Sequence, residues 1–162
     1  MGGAVGTGLH GVNPAVKLVL DTNIALDWLV FVDPSIAWLA AQISAGSTML
    51  LTRADCLVEL ERVLAYPKFE LSAEAQQALL ARYRAAAHCF EGSARPNTLP
   101  QCRDPDDQKF LELARDGGAQ FLVSKDKQLR ELDRLSRTCR PDRTLGFRIV
   151  DVPGLMRALN AK

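Results

Sequence analysis

Short apolar runs alternate along this chain with longer stretches whose apolar residues are spaced as on a helix. The short runs are rich in Val, Leu, Ile and Phe, which is typical of strands, and they cover residues 16–20, 49–51, 120–124 and 145–150. Between them, apolar positions recur every three or four residues, as expected for helices with one buried face. Strands that alternate with helices predict an α/β protein, a three-layer α/β/α fold with a mostly parallel central sheet.

Capping residues, prolines and glycines predict where the helices begin and end. The segment from Thr52 to Asp55 has the form of a capping box, and Tyr66-Pro67 ends the helix that it opens. Residues 91–101 are rich in Gly, Pro and Asn and are expected to form a loop. The other predicted helices follow residue 21, cover residues 36–44, run from Ser72 toward Cys89, run from Asp104 to Gly117 and start at Pro153.

A single domain is expected, because 162 residues are enough for one substantial core. Residues 1–13 contain many glycines and have no apolar periodicity, so they are expected to form a flexible tail, and the folded domain is predicted to cover residues 14–162. The start of the chain lacks a basic segment followed by an apolar core, and the apolar runs are far shorter than the roughly 20 residues that span a bilayer. The expectation is a cytoplasmic protein without a membrane anchor.

Composition restricts the chemistry that the chain can carry. Its 20 basic and 19 acidic residues give a formal net charge of +1, so a binding site for a polyanion has to be local. The four cysteines are scattered without a C-x-x-C pair, and the two histidines have no ligand-spaced neighbours, so free thiols are expected rather than a zinc site. A bound metal would therefore be held by oxygen atoms.

Acidic residues stand at the ends of two predicted strands. Asp21 ends the first strand, Asp126 follows the strand at residues 120–124, and Asp107 heads the helix that leads toward it. In open parallel sheets the ligand site lies beyond the carboxyl ends of the strands, so these three acids are expected at one edge of the molecule. Each is also a favoured helix cap. The chain places three aspartates at one helix start, Asp104 included, which is more negative charge than capping requires.

A fourth acid is harder to select. Glu59 and Glu61 both lie at the flank of the apolar stripe of their helix, about 100° from its centre. Periodicity leaves the choice between them open, and either residue fits an ordinary solvated side chain.

Taken together, these motifs resemble the PIN-domain family, in particular its group of toxin components of toxin–antitoxin systems, which are similar to VapC-type nucleases. The resemblance covers nearly everything after the tail. It implies a PIN-like nuclease domain with four metal-binding acids at Asp21, Glu59, Asp107 and Asp126. Four segments carry the resemblance: Leu18-Val-Leu-Asp21-Thr-Asn23, Glu59 to Phe69, Arg103 to Ala114, and Val123-Ser-Lys-Asp126.

The resemblance also separates residues that periodicity leaves equivalent. It favours Glu59, because family helices place the acid directly before an apolar residue, here Leu60. It favours Asp107, because this residue stands seven positions before the small Ala114, the usual spacing in the family. Asp104 is implied as a supporting acid.

A metal-dependent ribonuclease is the activity that the resemblance implies. Four clustered carboxylates repel one another unless a cation neutralises them, and Mg²⁺ and Mn²⁺ both prefer oxygen ligands. The implied reaction is hydrolysis of RNA to 5′-phosphate and 3′-hydroxyl ends, with Asn23 and Ser124 orienting ligands or water. Asp27 departs from the family pattern, which usually has an apolar or small residue inside the first helix.

RNA that reaches an acidic pocket needs cations nearby to contact its phosphates. The resemblance further implies an antitoxin protein and a homodimer as partners. Few aromatic residues lie near the motifs, so no platform for stacking bases is evident. The candidate RNA-binding cations, each of which fits ordinary surface charge equally well, are Arg53, Lys68, Arg103, Lys125 and Lys127.

Two other functions are compatible with an Asp after the first strand. A haloacid-dehalogenase-like phosphatase needs a second Asp two positions later, where this chain has Asn23. A PIN domain that binds RNA without cleaving it, or that is inhibited by a partner, is the non-enzymatic alternative. The intact acids argue against an intrinsically inactive domain.

Overall fold

The computed structural model describes residues 15–92, 99–138 and 145–160, and the predicted tail at residues 1–13 lies outside them. Within these ranges the chain forms one sheet of five parallel strands in the order β3-β2-β1-β4-β5. The predicted α/β class and parallel sheet are therefore confirmed. The strands are β1 (Val16–Leu20), β2 (Thr48–Thr52), β3 (Ala87–Cys89), β4 (Phe121–Val123) and β5 (Arg148–Val150).

Helices cover both faces of the sheet. Along β1, Leu18 and Leu20 belong to one core cluster and Val19 to the other, because successive side chains of a strand point to opposite faces. The first cluster includes residues of α1, α2, α3, α4 and α7, and the second includes residues of α5 and α6. The helices are α1 (Thr22–Leu29), α2 (Pro34–Ser44), α3 (Ala54–Leu64), α4 (Ala73–Ala86), α5 (Gln108–Asp116), α6 (Lys127–Thr138) and α7 (Val152–Asn160).

The third strand replaces the end of a predicted helix. The helix that starts at Ser72 was expected to run toward Cys89, but α4 ends at Ala86 and Ala87–Cys89 pairs with β2. The hydrogen bond from Phe90 N to Thr52 O, at 2.8 Å, continues this pairing. Ala87–Cys89 has no β-branched residue and directly follows a helix, so no apolar run marks it as a strand, and its pairing depends on a partner strand far away along the chain.

Two further local features of the structure differ from what the sequence predicts. The predicted capping box does not form among the described residues: Thr52 remains in β2, α3 begins after Arg53, and the Arg53 guanidinium bonds to Asp55 instead. Helix α6 was not predicted, because its sequence is dominated by charged residues. The buried carboxylate of Asp133 joins α6 to β5 by accepting a hydrogen bond from Ile149 N at 3.0 Å.

Two short 3-10 helices, Pro67–Phe69 and Pro105–Asp107, precede α4 and α5. The second one occupies the predicted helix start at Asp104, so the α-helix itself begins only at Gln108. No single described helix is long and apolar enough to cross a bilayer; α1 and α2 reach that length only as a pair, and they meet at 95°.

Candidate active site

The strand order reverses between β1 and β4. From β1 the chain continues to β2 on one side, whereas β4 and β5 lie on the other side, so a crevice forms where the carboxyl ends of β1 and β4 meet. A pocket of about 230 Å³ occupies this position. All five predicted acids line it, together with Asp106: Asp21, Glu59, Asp104, Asp107 and Asp126.

Asp21 caps helix α1 and also lines the pocket. Its Oδ1 accepts a hydrogen bond from Ile24 N at 2.9 Å and so caps α1, while its Oδ2 accepts a hydrogen bond from the Ser124 hydroxyl. Burial raises the pKa of Asp21 to about 6, although both hydrogen bonds act in the opposite direction. The capping interpretation and the pocket interpretation of this residue are thus compatible.

Asp107 has a carboxylate that is not used for capping: it precedes α5 without a side-chain cap hydrogen bond to any described residue. Burial raises its pKa to about 6, and the charges of four other carboxylates add to this effect. Each of these carboxylates therefore lies close enough to Asp107 to repel its negative charge. In order of decreasing influence they are Asp104, Asp126, Asp21 and Glu59.

Glu59 projects from α3 into the pocket and has cationic neighbours. Its Oε1 lies 2.6 Å from Lys109 Nζ and 4.0 Å from an Arg62 nitrogen, and its Oε2 accepts a hydrogen bond from the Thr22 hydroxyl. The alternative acid, Glu61, is exposed on the same helix. The packing of α3 therefore distinguishes the two glutamates that periodicity leaves equivalent.

Two other acids are held by local backbone amides. Asp126 Oδ1 accepts a hydrogen bond from Gln128 N at 2.7 Å, and Asp104 Oδ1 accepts one from Asp106 N at 2.9 Å. Across the described residues, no three His, Cys, Asp or Glu side chains converge into a formed metal site. The donor set nonetheless fits a hard divalent cation, because its atoms are carboxylate oxygens whose mutual repulsion such a cation would relieve.

The two polar residues predicted beside the acids occupy different depths. Asn23 is exposed and lines the pocket. Ser124 is fully buried beneath it, where its hydroxyl donates to Asp21 and accepts a hydrogen bond from Asp126 N at 3.0 Å. Ser124 therefore links the acids that follow β1 and β4.

The five predicted RNA-binding cations are dispersed. Lys68 lines the pocket, and Arg103 lines an adjacent cavity of about 180 Å³. The Arg53 guanidinium lies 2.7 Å from Asp55 and 3.2 Å from Glu112. Lys125 Nζ lies 2.6 Å from Asp27 Oδ2. Lys127 is exposed at the start of α6. The pairing of Lys125 also accounts for the buried Asp27 inside α1.

Several residues that line the pocket or contact its acids were not predicted. Arg62 stands three residues after Glu59 on one helix, a spacing that local geometry alone could have identified. Lys109 and Thr22 reach Glu59 from distant parts of the chain, so only tertiary structure brings them together. Contrary to the expectation of few aromatic residues near the motifs, Tyr66 and Phe69 line the pocket.

Comparison with known proteins identifies the family and similar folds. The family model described as PIN domain matches residues 17–128, which is more than half of the chain, and no curated protein sequence matches. The fold is similar to that of VapBC2 from Rickettsia felis, solved bound to a DNA fragment from its promoter, with a TM-score of 0.55 and 14% identity over 83% of this chain and 97% of that one. It is also similar to PAE2754 from Pyrobaculum aerophilum, with a TM-score of 0.54 and 15% identity over 96% of each chain.

Proposed function

Because this chain belongs to the PIN domain family, whose members are generally nucleases, we propose that it is a metal-dependent ribonuclease that hydrolyses RNA phosphodiester bonds. The observation that carries the proposal is the group of five carboxylates at the junction of β1 and β4. Burial, and after it repulsion from the other four carboxylates, raises the pKa of Asp107, and a bound divalent cation would relieve this electrostatic cost.

In this proposal Asp21, Glu59, Asp107 and Asp126 hold Mg²⁺ or Mn²⁺, with Asp104 as a supporting acid. When bound, such an ion supplies a water of lowered pKa and polarises the scissile phosphate, as in other metal-dependent hydrolases. The expected products carry 5′-phosphate and 3′-hydroxyl ends.

The surrounding residues hold these carboxylates in place. Ser124 orients Asp21 and, through the Asp126 amide, ties the two strand ends together. Thr22 and Lys109 fix the two oxygens of Glu59. Defined positions for the acids before RNA binds reduce the reorganisation that catalysis requires.

Cations near the pocket would contact the phosphates of the substrate. Lys68 is the predicted cation that lines the pocket, and Arg62 lines it as well. Arg103, beside Asp104, and Lys127 would extend the contact along the backbone. Arg53 and Lys125 would have to leave their carboxylate partners in order to contribute.

We also propose that the chain is the toxin of a toxin–antitoxin pair that acts in the cytoplasm as a homodimer. The similarity of fold to the VapBC2 structure supports this proposal. Its test is the neighbouring gene: a small protein with a DNA-binding segment should be encoded there and should purify with this chain.

Cleavage of a mixed RNA pool with Mn²⁺ tests the ribonuclease proposal. The parent should produce fragments, whereas Asp21→Asn and Asp107→Asn should not, and Glu61→Gln is the matched control because this acid lies on the exposed side of α3. Equal cleavage by all four proteins would contradict the assignment. Hydrolysis of small phosphomonoesters alone would favour the phosphatase alternative, and RNA binding without Mn²⁺-dependent cleavage would favour a non-catalytic domain.

A further inference from the structure

Three aromatic rings lie together at the edge of the acidic pocket. The Phe31 and Phe69 ring centroids are 5.8 Å apart in an edge-to-face arrangement, and Tyr66 stacks in parallel with Phe69 at 6.5 Å. Phe31 is 58% exposed and Tyr66 is 39% exposed, unlike the aromatic residues of the core. These three residues and Lys68 are called the aromatic rim.

The aromatic rim carries positive charge as well as apolar surface. Lys68 Nζ lies 5.2 Å from the Phe69 ring centroid and 6.0 Å from the Tyr66 centroid, which is the range of cation–π contacts. Tyr66, Lys68 and Phe69 line the same pocket as the five carboxylates. Rings, a cation and candidate metal-binding acids therefore share one continuous surface.

The backbone next to the rim is strained at two positions. Val32 has φ 49° and Glu70 has φ 51°, and they directly follow Phe31 and Phe69. The left-handed region is unfavourable for residues other than glycine, above all for a β-branched residue such as Val32. Strain of this kind is retained where the surrounding structure imposes it, and it concentrates at binding and catalytic sites.

We propose that the aromatic rim is a base-binding subsite, where unpaired bases of RNA stack beside the phosphate that is cleaved. This inference rests on the ribonuclease function proposed above. Exposed rings with a cation beside them match a nucleic acid whose bases are free to leave their own stack. The bases of a duplex are already stacked and paired, so their faces cannot reach Tyr66 or Phe31.

Electrostatics also favours stacking as a source of affinity at this place. The pocket next to the rim holds six acidic side chains, Asp106 included, and these repel phosphates. Stacking contributes attraction that does not depend on charge, while Lys68 and Arg62 offset part of the repulsion. An apolar protein partner would not need the cation Lys68 beside the rings, which makes RNA the better match.

Binding of RNA in an Asp107→Asn background tests the proposal, because that substitution should keep the RNA intact in Mn²⁺. Fluorescence anisotropy compares a short single strand with the same strand in a duplex. The single strand should bind at least about tenfold more tightly, and Tyr66→Ala or Phe31→Ala should weaken its binding about tenfold, as expected for the loss of one stacked base. Tyr66→Phe keeps the ring and should retain the binding.

Val58→Ala is the matched control, since Val58 is an apolar residue of α3 with 65% of its surface exposed. A second readout uses single-stranded RNA that contains 5-iodouridine, which crosslinks to stacked rings under ultraviolet light. The crosslinked peptide should contain Phe31, Tyr66 or Phe69.

Equal binding of single strand and duplex, with the rim variants similar to Val58→Ala, would overturn the proposal while leaving the ribonuclease function intact. Loss of an oligomer in Phe31→Ala with unchanged RNA binding would also overturn it, because the rim would then be a protein interface. Conversely, crosslinking at the rim together with no cleavage by the parent would support base stacking and contradict the ribonuclease function.

Discussion

Lys109 of α5 pairs with Glu59 of α3, with Lys109 Nζ only 2.6 Å from Glu59 Oε1. Both side chains are largely buried, at 17% and 11% exposure, so water screens the pair less than an ion pair on the surface. The contact joins two helices through residues that are 50 positions apart in the chain, and it orients one of the candidate metal-binding acids.

Glu59→Gln should therefore affect both stability and metal binding. The substitution leaves the ammonium of Lys109 without its anion, so the free energy of unfolding should fall by about 1 kcal/mol. Affinity for Mn²⁺ should fall about tenfold or more, because even the loss of an outer-shell partner of a metal ligand costs about tenfold. Urea denaturation and calorimetric titration measure the two effects. Glu61→Gln is the control and should change stability by less than about 0.5 kcal/mol; similar losses in both variants would contradict the placement of Glu59.

Asp107→Asn should make the metal-free protein more stable. Burial and four neighbouring carboxylates raise the pKa of Asp107, so its ionised form is disfavoured in the folded chain at neutral pH. Because the group is partly exposed, we expect a gain of only about 1 kcal/mol, or roughly 2–4 °C in melting temperature. Thermal unfolding in EDTA measures this, with Glu61→Gln, at an exposed acid outside the pocket, as control. A lower melting temperature for Asp107→Asn would contradict the electrostatic account.

Asp21 should make metal-free stability depend on pH. Burial raises its pKa to about 6 from an ordinary value of 3.8, so the unfolded chain loses its proton first as the pH rises. Ionised Asp21 therefore destabilises the folded chain. This destabilisation is absent below the pKa of Asp21 in the unfolded chain and complete above its pKa in the folded chain, where it reaches about 3 kcal/mol. The free energy of unfolding of Asp21→Asn relative to the parent should therefore increase between about pH 4 and pH 7 in EDTA. A difference that is constant with pH would exclude this origin.

Bound Mn²⁺ should offset the destabilisation that ionised Asp21 causes in the metal-free protein. Its binding requires ionised carboxylates, so the rise in melting temperature that it causes should be largest above about pH 6 and should shrink as the pH falls. EDTA should abolish the effect, and Asp21→Asn should show little of it. Scanning calorimetry over the pH series measures it; an equal rise in the parent and in Asp21→Asn would point to a metal site elsewhere.

Ser124→Ala tests the link between the two strand ends. The buried hydroxyl donates to Asp21 and accepts from Asp126 N, so its removal should lower the free energy of unfolding by about 1–3 kcal/mol. The hydrogen bond from Ser124 lowers the pKa of Asp21, so its loss should move the onset of Mn²⁺ binding to higher pH. Chemical denaturation and Mn²⁺ titration at several pH values measure the two effects. Ser47→Ala, at an exposed hydroxyl that bonds to Gln42, is the control; no difference between the variants would remove Ser124 from the site.

Local sequence patterns are sufficient to predict most of the sheet. The apolar runs that predict β1, β2, β4 and β5 reflect burial on both faces, a property that each strand carries in its own residues. The positions of Asp21 and Asp126 after two of these strands also follow from the chain, since the carboxyl ends of parallel strands share one edge of the sheet. The edge strand β3 consists of Ala, His and Cys and has no such apolar run, and its pairing with β2 depends on residues far from it.

The details of the pocket depend on contacts between distant residues. Periodicity places Glu59 and Glu61 on the flanks of α3, but the rotation of that helix against α1 and α5 decides which of them faces the acids. In the same way, no local signal relates Phe31 to Phe69 or Lys109 to Glu59. The sequence by itself determined four of the five described strands, six of the seven described helices and the acids at the strand ends, because these depend on local burial and turn chemistry. Only the tertiary structure decided the side chains around those acids, because packing sets the rotation of each helix.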